Sequence, residues 1–156
     1  MKNHIFVLPR ITYEHIIAGL TQRQKDDSAF IQINEFRHGV NKLFGGSSDP
    51  IQPDSRNVLN LWFDDAEEDL PLLNGESLVL FNEEMAEKIY NFVMENRQAR
   101  MWVLHCTAGI SRSGAVGDVL SEFYQIEYKD FKYHNPQVNP NTLVKNLLRK
   151  KFFYEK

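Results

Sequence analysis

Val103-Leu104-His105-Cys106-Thr107-Ala108-Gly109-Ile110-Ser111-Arg112-Ser113-Gly114 is the stretch that decides the fold. The apolar run 101–104 reads as a buried strand, and it delivers the only cysteine of the chain. Arg112 follows after five intervening residues. Beyond it Ala115, Val116, Val119, Leu120 and Phe123 recur at helical spacing, to about Ile126. A strand, a tight loop and a helix N-terminus make an anion site. The loop N–H groups point inward, and the helix dipole favours negative charge. A thiol opens this loop and a guanidinium closes it, so the product is a phosphate-sized cradle with a nucleophile at its floor.

The residue types suit that chemistry. A free thiol titrates near ~8.5, and a helix N-terminus with a nearby cation shifts thiols toward the reactive thiolate. Arg112 offers a planar fork for two phosphoryl oxygens, a geometry lysine lacks. Gly109, mid-loop, permits a backbone turn that other residues resist. Ser113 is placed to donate a hydrogen bond to the sulfur, which improves it as a leaving group.

His105-Cys106-x-x-Gly109-x-x-Arg112-Ser113 resembles the signature loop of the cysteine-dependent protein tyrosine phosphatases. The interior Thr107-Ala108-Gly109-Ile110 is similar to the tyrosine-specific members, and the short chain to the compact dual-specificity branch. The resemblance implies an α/β fold: a three-layer-like sandwich whose central, mixed but mostly parallel sheet is flanked by helices, most of them on one side. It implies Cys106 as nucleophile, Arg112 as phosphate clamp, and Thr107, Ala108, Gly109, Ile110 and Ser111 as the phosphate-binding loop. Ser113 and His105 support the sulfur, His105 through hydrogen bonds that order the loop and favour thiolate, although a satisfied core histidine is the plainer reading and is compatible with that role. It also implies a general acid on a loop after an upstream strand. Leu61-Trp62-Phe63 runs into Asp64-Asp65 in the matching place; the family pattern favours Asp65, with Asp64 the alternative. A solvated acidic loop is the plainer reading, since Glu67, Glu68 and Asp69 follow. The separation from Asp65 to Cys106 is long for a compact member, so an insertion is expected around 71–77. Asn139-Pro140-Asn141 resembles a turn that orders the cysteine loop in compact members, although a simple helix cap at Asn141 accounts for it equally well.

The rest of the chain sets bounds. Its 156 residues, 42% of them apolar, fit one domain spanning 1–156. A net charge of −3 argues against a nucleic-acid partner. A single cysteine forms no internal disulfide, which fits a reducing compartment. The start of the chain is too short for a secretory segment and no run reaches membrane-spanning length, so a cytoplasmic location is expected. The histidines at 4, 15, 38 and 134 show no metal-ligand spacing, so neither metal nor cofactor is expected. Arg37, His38 and Lys42 form a small basic stretch that reads more readily as a solvated face than as cleft lining. Gly45-Gly46-Ser47-Ser48 lacks the Gly-Lys-Ser/Thr ending of a nucleotide loop and reads as a plain loop within 44–56.

Strands are expected at 5–8, 29–33 and 58–63. Residues 11–20 read as a helix or an irregular turn. Asn82 is expected to cap a helix running to about Asn96, with further helices near 130–134 and 143–148.

For a substrate, the resemblance leaves three classes open. These are a phosphorylated protein carrying phosphotyrosine (with or without phosphoserine and phosphothreonine), a non-protein phosphate ester such as a phosphoinositide or an RNA 5′-phosphate, and phosphoprotein binding without catalysis. Phosphoinositide and RNA phosphatases of the family carry extra basic residues in the loop. Here Thr107, Ala108, Ile110 and Ser111 are neutral, which favours the first class. The oligomeric state is left open.

Overall fold

The computed structural model describes residues 3–36, 49–70, 72, 75 and 77–155. Four strands form its sheet: β1 (His4–Pro9), β2 (Ser28–Asn34), β3 (Val58–Trp62) and β4 (Met101–Cys106), in the order β1-β4-β2-β3. All three pairings are parallel, and no antiparallel strand is found among the described residues. The inner strands are covered on both faces, so they read as continuous runs rather than alternating ones. Every residue of β2 is buried, and so are the last five of β4.

Two apolar clusters sandwich this sheet. On one face α1 (Arg10–Gly19) lays Tyr13 and Ile17 against Phe30, Val58 and Val103. The larger cluster lies on the other face, where Ile31, Ile33, Trp102 and Leu104 meet four further helices. These are α3 (Glu83–Glu95), α4 (Arg112–Phe123), α5 (Tyr128–His134) and α6 (Thr142–Arg149). Asn82 caps α3, its side chain accepting from Met85 N–H at 2.9 Å. Ala86, Ile89, Phe92 and Val93 form the buried stripe. The result is three layers with most helices on one side. The stretch read as a helix or an irregular turn is helical over Arg10–Gly19, with Leu20 as its C-cap. No described helix is long and apolar enough to cross a membrane.

Three details depart from the sequence reading. A short helix α2 (Gln22–Asp26) precedes β2, held by a reciprocal capping box between Thr21 and Gln24. Helix α4 ends at Phe123 rather than near Ile126, because Gln125 takes a left-handed φ of 59° and Ile126 N–H turns back to Ser121 C=O. A π-helical turn, Lys150–Tyr154, extends α6. The stretch 37–48, with the basic residues 37, 38 and 42 and the Gly-Gly-Ser-Ser run, lies outside the described residues. So do Pro71, Leu73, Asn74 and Glu76 of the expected insertion.

Parallel strands place their carboxyl ends together, and ligand sites of open α/β sheets lie there. Pro9 pairs with Cys106, and Gln32 with His105. The ends of β1, β2 and β4 therefore converge on the cysteine loop.

Candidate active site

Cys106 closes β4 with 2% of its surface exposed, and Arg112 opens α4 with 5%. Between them the loop passes through Gly109 at φ 67°, a left-handed conformation that glycine adopts freely. A Cβ there would sit 2.4 Å from the Leu8 carbonyl carbon and the Pro9 nitrogen, so the loop packs directly on the end of β1. Ser111, the residue before α4, makes no side-chain cap, and the first N–H groups of the helix stay open toward the loop.

The loop carbonyls are held from outside. Thr107 C=O accepts from Arg10 N–H at 3.2 Å, Ile110 C=O from Asn139 N–H at 2.9 Å, and Ser111 C=O from Asn141 N–H at 3.0 Å. Gly109 C=O accepts from the Gln137 side-chain amide at 3.0 Å. In a trans peptide the N–H points opposite to the C=O. The N–H groups of Ala108, Ile110, Ser111 and Arg112 therefore face away from these anchors, toward the concave side.

Polar side chains gather around this ring. Ser113 Oγ donates to Cys106 Sγ at 3.0 Å in a buried contact. The Arg112 guanidinium donates through Nη1 to Phe63 C=O at 2.9 Å and through Nη2 to Glu35. Its Nε–H is buried and meets no acceptor among the described residues. A buried guanidinium N–H without a partner is costly. The Nε and Nη2 edge is the one that can grip two oxygens of an oxyanion. Glu35 also accepts from the Thr107 hydroxyl, so one carboxylate braces both ends of the loop.

The two candidate acids part ways. Asp64 is buried and pairs with the Val79 backbone: its N–H donates to Val79 C=O and its Oδ2 accepts from Val79 N–H, both at 2.7 Å. Asp65 is exposed and turns to the cysteine loop. Its Oδ1 accepts from Ser111 Oγ at 2.8 Å and from Asn141 Nδ2 at 2.9 Å. Asn141 serves both ways anticipated for it. Its Oδ1 caps α6 by accepting from Val144 N–H, while its Nδ2 and backbone N–H reach the acid loop and the cysteine loop. Glu67 adds a second tie, accepting from Thr142 N–H at 3.0 Å, and that contact lowers its pKa.

His105 is fully buried, its ring 4.4 Å from that of Tyr13. Neither ring nitrogen meets a hydrogen-bond partner among the described residues, so the loop-ordering hydrogen bonds expected of this side chain are not found and the ring acts through packing. Burial first, then the charge of Arg10, push its pKa down to about 4; the Cys106 backbone pulls the other way, and the charge of Arg112 adds the smallest push down. The imidazole is thus neutral at pH 7. The unfolded chain takes up this proton near the ordinary value and the folded protein does not. The stability this represents is fully present above about pH 6.5 and is lost as pH falls toward 4, by about 3 kcal/mol in all. Urea unfolding of wild type and His105→Asn between pH 7 and pH 4 should show a steeper loss of stability in the wild type. Parallel curves would mean that His105 takes up its proton as readily in the fold as in the unfolded chain.

Sequence reading located Cys106, Arg112, Ser113, His105 and Asp65, and the structure brings all five to one loop with Thr107, Ala108, Gly109, Ile110 and Ser111. It missed Glu35 and Gln137. Glu35 follows β2 directly, but nothing in the sequence says that β2 lies beside β4.

No protein-family model matches the chain, and no curated protein sequence matches it. Solved structures do. DUSP15 superposes with a TM-score of 0.53 at 16% identity, over 96% of this chain and 83% of that one. The PTP-2 phosphatase of Cydia pomonella superposes with a TM-score of 0.52 at 19% identity, over 95% of this chain and 85% of that one. The chain has the protein tyrosine phosphatase fold. Within this fold the cysteine loop described above occupies the carboxyl edge of the sheet, and at such identities the likeness is one of architecture.

Proposed function

We propose that this protein is a phosphatase that hydrolyses phosphotyrosine in proteins, with phosphoserine and phosphothreonine as further substrates, through a phosphocysteine at Cys106. The observation that carries the reading is the loop itself. A sulfur that accepts a hydrogen bond from Ser113 Oγ lies at the floor of a ring of inward N–H groups, beside a buried guanidinium whose Nε–H has no partner among the described residues. Such a ring is built for a tetrahedral oxyanion.

In this mechanism the thiolate attacks phosphorus. Arg112 holds two equatorial oxygens through Nε and Nη2, and the loop N–H groups take charge as it develops. The P–O bond to the substrate breaks, and Asp65 delivers a proton to the departing oxygen. Its Oδ1 is engaged by Ser111 and Asn141, which leaves Oδ2 to carry that proton. Water then attacks the phosphocysteine, Asp65 takes up a proton, and sulfur leaves as thiolate with the Ser113 hydrogen bond stabilising it.

Charge supports this substrate class. Thr107, Ala108, Ile110 and Ser111 add no cation to the loop, and the Glu35 carboxylate that reaches it repels further negative groups. A substrate with a single phosphate suits this mouth better than a polyphosphate or a polyphosphorylated headgroup. The test is a panel of phosphotyrosine, phosphoserine and phosphothreonine peptides, phosphoinositides and RNA 5′-triphosphate, each with and without chelator. Phosphotyrosine peptide should be turned over fastest, at the same rate with chelator. Faster turnover of the phosphoinositide or the RNA would contradict the assignment.

A further inference from the structure

We infer that Gln137 is a positioning residue for the phosphate cradle: it holds the Gly109–Ile110 peptide plane with the Ile110 N–H turned toward the oxyanion. The inference rests on the loop being the phosphate site, and it concerns a side chain that never touches substrate.

Four loop carbonyls are anchored from outside, and three of the anchors are backbone N–H groups, of Arg10, Asn139 and Asn141. Their positions follow from the path of the chain. The fourth anchor, on Gly109 C=O, is the amide of Gln137. It acts on the plane that follows Gly109, whose missing Cβ leaves the backbone the widest choice of conformation. The peptide with the least restraint of its own is therefore the one restrained by a side chain.

The Gln137 head is itself fixed. Its Nε2 spends one hydrogen on Gly109 C=O and the other on Val7 C=O of β1, at 2.8 Å. That edge of β1 is further paired by Asn135, whose Oδ1 accepts from Val7 N–H at 2.8 Å and whose Nδ2 donates to Ile5 C=O at 3.0 Å. Two side-chain amides thus stand where a neighbouring strand would lie, and one of them extends the pairing onto the cysteine loop. Rotating the Gln137 head breaks both of its bonds at once. Without it the plane is free to turn over. A turned plane removes one donor from the cradle and aims a carbonyl oxygen at the phosphate, so the loss is double.

Gln137 is exposed apart from its amide head, so its replacement leaves the core intact. Gln137→Met keeps the stem and removes both donors. Gln137→Glu sets a carboxylate oxygen against the carbonyls of Val7 and Gly109. Inorganic phosphate binding, kcat/KM on a phosphotyrosine peptide, thermal unfolding and the Ile110 amide resonance are measured for the wild type and both variants.

Phosphate affinity and kcat/KM should fall together, by about tenfold in Gln137→Met and further in Gln137→Glu. The Ile110 amide should lose its response to phosphate at concentrations that saturate the wild type. A melting temperature that drops while phosphate affinity stays at the wild-type value would overturn the inference, since Gln137 would then be a surface brace only. So would unchanged affinity in both variants. If Gln137→Glu does not fold, Gln137→Met decides the matter alone. Failure of the wild type to bind phosphate would instead overturn the reading of the site, and this inference with it.

Discussion

Cys106→Ser protein should turn over no phosphate ester at a measurable rate, a loss of at least about 10⁴-fold, and should still bind phosphotyrosine peptide. The two halves of this expectation come from different parts of the site. Turnover needs a thiolate, and a serine hydroxyl stays protonated in the same position. Binding needs the inward N–H groups and Arg112, none of which the substitution removes. Ser113 Oγ, 3.0 Å from the sulfur, remains able to bond an oxygen there. A steady-state assay with equilibrium peptide binding separates the two. Loss of binding along with turnover would indicate a collapsed loop rather than a missing nucleophile.

Asp65→Asn should lower kcat by roughly 10²–10⁴-fold on substrates with poor leaving groups, the usual size of general acid catalysis. Aryl phosphates with acidic leaving groups need less protonation and should suffer less. The dependence of rate on leaving-group acidity should therefore steepen in the variant. Asn is nearly isosteric and its Oδ1 can still accept from Ser111 and Asn141, so the acid loop keeps its place. Asp64→Asn is the informative control. Asp64 Oδ2 bonds Val79 N–H away from the cysteine loop, so its loss should cost stability and leave the leaving-group dependence at the wild-type slope. The reverse pattern would transfer the acid to Asp64.

Much of this site was legible because its core is contiguous. Residues 101–123 carry the strand, the loop and the helix in one stretch, and local spacing suffices to place Cys106, Arg112 and Ser113. The helix at 83–95 was equally plain, since Asn82 and the stripe below it are local signals. What the sequence conceals is long-range. Glu35 meets Arg112 across 77 residues and Gln137 meets Gly109 across 28. Both contacts exist only because β4 lies between β1 and β2, an order that no local pattern encodes. The Asp64 and Asp65 ambiguity was of the same kind. Two adjacent carboxylates are equivalent until Val79 takes one and Ser111 the other. The end of α4 escaped for a different reason: Gln125 occupies a left-handed position where glycine or asparagine is the usual signal. Helix α2 did leave a trace, the Thr21 and Gln24 capping box, but five residues without an apolar stripe give periodicity nothing to detect.

Glu35 adds a constraint that the loop motif alone does not contain. Its carboxylate accepts from Nη2 of Arg112 while Phe63 C=O accepts from Nη1, so both terminal nitrogens are held by the protein and Nε is left without a partner among the described residues. The guanidinium is thus oriented before any substrate arrives, and orientation of this kind is what makes a fixed cation more effective than a mobile one.

The most direct test of the central claim is alkaline quenching of the enzyme during turnover of a phosphotyrosine peptide, followed by mass spectrometry at alkaline pH of the peptide that contains Cys106. Attack by the thiolate predicts one phosphoryl group on the Cys106 sulfur, stable in alkali and released by mild acid, most abundant in Asp65→Asn protein under single turnover and missing in Cys106→Ser. Wild-type turnover with no phosphoryl group on Cys106 at any quench time, or with that group on another residue, would contradict it.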